Sequence, residues 1–180
     1  MTRALLAALA LLLSGCWVTA VDGGDLSTIP AGPPVALGAD ARGPVIVVGS
    51  GRSEGIGWRY SVYESARGTC NQLELGNLGT AGCGDLLPVG NAAFGSIGTN
   101  EASASYRYAE GIVSSDVAHL FVAMENGERL RVGLMPLAPA GYEAQAFVVF
   151  IPAGDTPDHL AAEDGDGVQL GTFEISNLGP

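Results

Sequence analysis

Val117–Met135, with the sequence VAHLFVAMENGERLRVGLM, decides the fold of this chain. On each side of Glu125-Asn126-Gly127, apolar side chains alternate with polar or differently sized ones. A period of two is the pattern of a β-strand that buries one face. An Asn-Gly pair between two such runs is typical of a β-hairpin. The stretch therefore predicts two antiparallel strands joined by a tight turn.

The register of this hairpin depends on the length of its loop. A two-residue Asn-Gly turn would place Val122 opposite Arg131. A three-residue loop, with Gly127 in the left-handed conformation, would place Val122 opposite Leu130 instead. A slip of one residue moves every side chain to the other face, so burial of the apolar set favours the second arrangement. The predicted pairs are Leu120 with Val132, Val122 with Leu130, and Ala118 with Leu134.

This register gives the hairpin an outer face with an unusual composition. The face carries His119, Phe121, Ala123, Arg129 and Arg131. An aromatic ring flanked by arginines has the composition of an interface hot spot, and Phe121 beside Arg131 predicts a cation–π pair. The alternative is that a second sheet covers Phe121, or that the ring stands alone on the surface. We take His119, Phe121, Arg129 and Arg131 as the candidate interface.

Period-two patterns continue along the chain on both sides of the hairpin, and no long run has helical spacing. Short strands with Gly, Asn, Asp and Pro between them are typical of an antiparallel sandwich or barrel. The other strand candidates are 44–49, 56–63, 71–75, 102–109, 146–152 and 168–175. We predict an all-β domain over residues 43–180, an antiparallel β-sandwich that is immunoglobulin-like in general architecture.

The amino terminus has the pattern of an export signal. Arg3 precedes an uninterrupted apolar run over Ala4–Leu13, which is too short to span a bilayer as a helix. The run ends in Leu13-Ser14-Gly15-Cys16. These four residues resemble the lipobox of bacterial lipoproteins. The resemblance implies removal of residues 1–15, acylation of Cys16 with palmitate or a similar chain, and anchoring to the extracytoplasmic side of a cell-envelope membrane.

Residues 16–42 separate this signal from the domain. They include Gly23-Gly24, Gly32 and Pro33-Pro34 and have no lasting period. Such composition predicts a flexible tether. The alternative is that a part near Val35–Leu37 packs on the domain as an edge strand.

The charge of the chain limits its partners. Its 180 residues include 19 acidic and 8 basic residues, for a formal net charge of −11. All 8 basic residues are arginines. Nucleic acids and anionic lipid surfaces attract basic proteins, so we expect no nucleic-acid partner and no membrane contact other than the lipid anchor.

Two cysteines remain after Cys16, namely Cys70 and Cys83. An exported chain matures in an oxidising compartment, where two remaining cysteines usually pair. A metal or redox pair is the alternative, but the spacing is not that of a CxxC motif. We predict a disulfide between Cys70 and Cys83.

Gly51-Arg52-Ser53-Glu54-Gly55 fits the G-x-S-x-G pattern of serine hydrolases, and it follows a short apolar run. That motif needs a strand–turn–helix context and a histidine base. The residues that follow alternate like a strand, and the histidines are His119 and His159. A strand-to-strand turn is the favoured interpretation, and an envelope hydrolase that uses Ser53 is the alternative.

Acidic residues crowd the stretch before the last strand candidate. Carboxylates on loops are the ligands that Ca²⁺ prefers, but Asp-Gly is also common turn chemistry. The order of the acids is not that of an EF-hand loop, so a solvated turn is favoured and calcium remains the alternative. The calcium candidates are Asp155, Asp158, Asp164 and Asp166.

The carboxy-terminal half resembles a β-rich module of secreted and envelope proteins of GC-rich bacteria. The resemblance rests on Gly111–Ala118, Phe147–Phe150 and Asp164–Leu170, and it implies a fold without an activity. We therefore expect a lipid-anchored, non-enzymatic envelope protein that binds a protein or a glycan, with no cofactor.

Overall fold

The computed structural model describes residues 40–175, except residues 54, 77, 104 and 105. Leu13–Cys16 and the tether up to residue 39 lie outside the described residues, as does Val35–Leu37. Within the described part of the chain, no helix combines the length and the apolar character that crossing a membrane requires.

The described residues form strands and one turn of 3-10 helix, Ala138–Ala140. The strands are β1 (Ile46–Ser53), β2 (Ile56–Ser65), β3 (Gly68–Leu75), β4 (Leu78–Gly84), β5 (Phe94–Ser103), β6 (Tyr106–Ser114), β7 (His119–Met124), β8 (Arg129–Val132), β9 (Leu134–Pro136), β10 (Ala144–Pro152), β11 (Pro157–Glu163) and β12 (Gln169–Glu174).

These strands make three antiparallel sheets of four strands each. Sheet A has the order β1-β2-β3-β4, sheet B the order β5-β6-β10-β9, and sheet C the order β12-β11-β7-β8. The predicted all-β antiparallel sandwich is therefore confirmed. A two-sheet immunoglobulin domain has one core, whereas this chain builds two cores from three sheets.

Sheet B is the middle layer, because successive residues of its strands enter opposite cores. On β6, Tyr108 and Ile112 belong to the core shared with sheet A, whereas Ala109 and Val113 belong to the core shared with sheet C. The strand β10 alternates in the same way, and its Phe147 is fully buried on the sheet C side. Alternate residues of β6 and β10 therefore pack into the two cores in turn.

The hairpin prediction is confirmed in its register and in its loop. Leu120 lies opposite Val132, Val122 lies opposite Leu130, and Gly127 has φ of 86°. The predicted pairing of Ala118 with Leu134 is wrong. The second strand divides at Gly133, because β8 pairs with β7 in sheet C whereas Leu134 on β9 pairs with Phe147 in sheet B.

Residues 40–42, at the end of the predicted tether, contact the strands of sheet A. Ala41 forms a β-bridge with Ser65, and the Arg42 amide donates to the Glu64 carbonyl at 2.8 Å. The Arg67 guanidinium also forms an ion pair with Asp40 at 2.8 Å. These contacts attach residues 40–42 to the hairpin between β2 and β3.

Candidate recognition surface

The candidate surface is the outer face of sheet C, the face that points away from sheet B. Leu120, Val122 and Leu160 point into the core, so the alternate positions of β7, β8 and β11 point outward. We call these outward side chains around Phe121 the sheet C face. Its members are His119, Phe121, Ala123, Arg129, Arg131, His159, Ala161 and Glu163. The four residues of the predicted interface therefore lie together.

Arg129 crosses the centre of the sheet C face. Its guanidinium carbon lies 3.9 Å from the centroid of the Phe121 ring, and its Nη2 bonds to the Glu163 carboxylate at 2.5 Å. The side chain thus reaches from β8 across β7 to β11. This corrects the prediction that Phe121 pairs with Arg131. Glu163 explains the difference, because its carboxylate draws Arg129 over the ring.

Arg131 has a different partner. It lies opposite Phe121 in the ladder, and its Nη2 approaches Nδ1 of His119 at 2.9 Å. A guanidinium only donates hydrogen bonds, so Nδ1 of His119 accepts and its proton resides on Nε2. Among the described residues, Arg131 forms no ion pair with a carboxylate. Arg131 and the Nε2–H of His119 therefore present donors to solvent beside an aromatic ring.

A groove of about 740 Å³ adjoins the sheet C face at Arg131. It opens where the chain passes from β8 to β9 at Gly133, and its floor includes Val132 and Ala144. Two residues of its walls are hydrogen-bonded to each other, because the Gln145 amide donates to the Val117 carbonyl at 2.7 Å. Arg131 is the side chain that belongs to both the groove and the face.

The sequence does not predict the three members of the sheet C face that lie on β11, namely His159, Ala161 and Glu163. Glu163 belongs to the acidic stretch that precedes the last strand candidate, and His159 is a candidate base for Ser53. Both lie on β11, where Glu163 faces His119 and His159 faces Ala123 across the ladder to β7. The signal that would have found them is the period-two alternation of β11, had that strand been recognised.

The structure does not bring Ser53 together with a histidine. Ser53 ends β1 and lies opposite Ile56, so a strand-to-strand turn follows it, as the favoured interpretation predicted. His119 and His159 belong to the outer face of sheet C, and the middle sheet separates that face from sheet A. A nucleophile and its base must lie within hydrogen-bonding reach. This arrangement does not provide that contact.

The four acidic candidates for calcium are also divided. Asp155 precedes β11 and Asp158 lies at its start, whereas Asp164 and Asp166 follow its end. The six residue-to-residue steps of extended strand from Asp158 to Asp164 span about 20 Å. Oδ1 of Asp164 accepts from the amides of Asp166 and Val168, both at 2.9 Å, which stabilises the turn into β12. The four carboxylates therefore do not surround one ion.

The predicted disulfide between Cys70 and Cys83 is present, and it links β3 to β4. The two residues lie directly opposite each other in the ladder, with their Cα atoms 4.1 Å apart. The bond lies in sheet A, away from the sheet C face. It therefore contributes to the scaffold and not to the candidate surface.

No family model, curated protein or solved structure matches this chain. The fold and the surface define its class as an all-β antiparallel sandwich domain with a half-exposed aromatic and arginine face.

Proposed function

We propose that this chain is a lipid-anchored envelope protein whose sandwich domain binds another protein or a glycan without catalysis. The observation that carries the recognition part is the grouping of His119, Phe121, Arg129 and Arg131 on one outward face of sheet C. The sequence Leu13-Ser14-Gly15-Cys16 supports the anchor, with Cys16 as the acylated residue.

The chemistry of the sheet C face suits a partner that offers an apolar or ring-shaped group beside hydrogen-bond acceptors. Aromatic and arginine side chains are the residues that most often dominate binding energy at interfaces. The ion pair with Glu163 holds Arg129 in place, which reduces the conformational entropy lost on binding. Arg131 and His119 supply donors for a carboxylate, a carbonyl or a sugar hydroxyl.

A crosslinking pull-down of the full chain from its native envelope tests this proposal. We expect the double variant Phe121→Ala/Arg131→Ala to lose its partner, with recovery reduced about tenfold or more. The matched control, Phe173→Ala/Arg67→Ala, removes an exposed phenylalanine and an exposed arginine elsewhere in the domain. Its recovery should equal that of the unaltered chain.

The same samples are tested for co-sedimentation with insoluble envelope glycan, so that both partner classes are covered. Equal recovery of the two double variants in every assay would place recognition elsewhere in the domain. The absence of any retained protein or glycan would contradict the proposed binding role.

A further inference from the structure

Glu110 is a carboxylic acid buried between sheets A and B. It lies on β6, on the side that faces sheet A, and only 7% of its surface is exposed. The Asn71 amide of β3 donates to Oε2 of Glu110 at 2.9 Å and to the Tyr60 hydroxyl of β2 at 3.0 Å. A single polar cluster thus joins the middle sheet to sheet A.

The backbone encloses this cluster tightly. A Cβ atom on Gly98 of β5 would lie 2.8 Å from Oε1 of Glu110, and one on Gly82 of β4 would lie 2.9 Å from Oδ1 of Asn71. Oδ1 of Asn71 has no hydrogen-bond partner among the described residues. Glycine at these two positions makes room for the carboxyl and the amide.

Among the residues that the structure describes, no positively charged group pairs with the Glu110 carboxyl. The ionisable groups that face it are the phenols of Tyr60 on β2 and Tyr108 on β6. Asn71 on β3 is neutral, and the nearby positions of β4 and β5 are glycines. Among the described residues, Glu110 forms no ion pair with an arginine or a histidine. Ionisation would therefore place an uncompensated charge between two sheets, which is unfavourable.

We propose that Glu110 makes the contact between sheets A and B sensitive to pH, so that sheet A loosens from sheet B when the carboxyl ionises. This inference is independent of the proposed binding function. The cluster lies on the opposite side of sheet B from the core that supports the sheet C face. Loosening would expose the side chains that pack there, including Trp58 and Leu73.

The direction of the pH dependence follows from the pKa of Glu110. Burial raises this pKa from its usual 4.5 to about 7, against the lowering effect of hydrogen bonds from Asn71 and Tyr60. The folded state therefore retains a proton that the unfolded chain loses, and the free energy of unfolding decreases as pH rises from about 4.5 to about 7. The contact is strongest in mild acid and weakest above neutrality.

Amide hydrogen exchange of the full chain at pH 5.5 and pH 8.5 tests the proposal, after correction for the intrinsic pH dependence of exchange. We expect protection of β2 and β3 to fall about tenfold or more at the higher pH, while protection of β7 and β11 changes little. In Glu110→Gln, which cannot ionise, protection of β2 and β3 should be equal at the two pH values.

Glu74→Gln is the matched control, because Glu74 lies on β3 and forms an ion pair with Arg59. It should retain the pH dependence of the unaltered chain. If Glu110→Gln does not fold, Trp58 emission in a Trp17→Phe background provides the second readout, with a red shift expected as pH rises. Equal protection of sheet A at both pH values in the unaltered chain would overturn the proposal, as would an unchanged dependence in Glu110→Gln.

Discussion

Phe147→Ala is expected to lower the free energy of unfolding by about 3–5 kcal/mol, the usual range for a fully buried phenylalanine. Phe147 lies on β10 in the middle sheet and packs into the core shared with sheet C. Its ring also lies against Gly111, where an added Cβ would come within 3.1 Å of it. Removal of the ring leaves a cavity that its neighbours on β6 cannot fill.

Urea denaturation followed by circular dichroism measures this effect, with Phe173→Ala as the matched control. Phe173 lies on the edge strand β12 and keeps 38% of its surface exposed. Its replacement should cost about 1 kcal/mol or less. Similar losses for the two variants would contradict the full burial of Phe147 in the core.

Removal of the disulfide is the second large effect. Cys70→Ala/Cys83→Ala should lower the free energy of unfolding by roughly 3 kcal/mol, the value expected for a loop of this length. The bond attaches β4, an edge strand that contains Gly79, Gly82 and Gly84. Such a strand has few side chains to pack, so the covalent link supplies much of its attachment.

Denaturation with and without a reducing agent measures the contribution of the disulfide. The unaltered chain should lose stability in the reductant, and the double variant should not respond to it. Amide exchange should increase first in β4. A chain whose stability is unchanged by reduction would contradict this role of the bond.

The hairpin shows how much of the fold could be predicted from the sequence. A left-handed Gly127 and an apolar set with period two allow only one register that buries Leu120 and Val122. The division of the second strand at Gly133 was not predictable, since it depends on pairing with β10. The three-layer arrangement was not predictable either, because the alternation within one strand does not show which sheets pack against each other.

The strands that sequence reasoning missed contain residues that usually interrupt strands. The glycines of β5 make it hard to recognise as a strand from the sequence. Gly95 allows two backbones to approach closely, because an added Cβ would lie 2.2 Å from the Leu86 carbonyl oxygen. The predicted strand over residues 102–109 combined the end of β5 with the start of β6. The acidic residues in and beside β11 likewise make it hard to recognise as a strand from the sequence.

The sequence predicts which residues of β7 and β8 form the candidate surface, but it does not predict the contacts between their side chains. The register places His119, Phe121, Arg129 and Arg131 on one face. That Arg129 and not Arg131 covers the Phe121 ring depends on Glu163, which lies on a strand distant in sequence. Glu110 was not predicted as a special residue. Its burial arises from the stacking of sheets A and B, which leaves no local signal.

Site-specific photocrosslinking of the full chain in the cells that produce it is a direct test of recognition by the sheet C face. A photoreactive amino acid is placed at Ala123 on the sheet C face, and in separate variants at Leu78 and at Val89, two exposed positions elsewhere. Recognition by this face predicts a specific adduct with a protein or a glycan from position 123 alone. Adducts from position 78 or 89 with none from position 123 would contradict it.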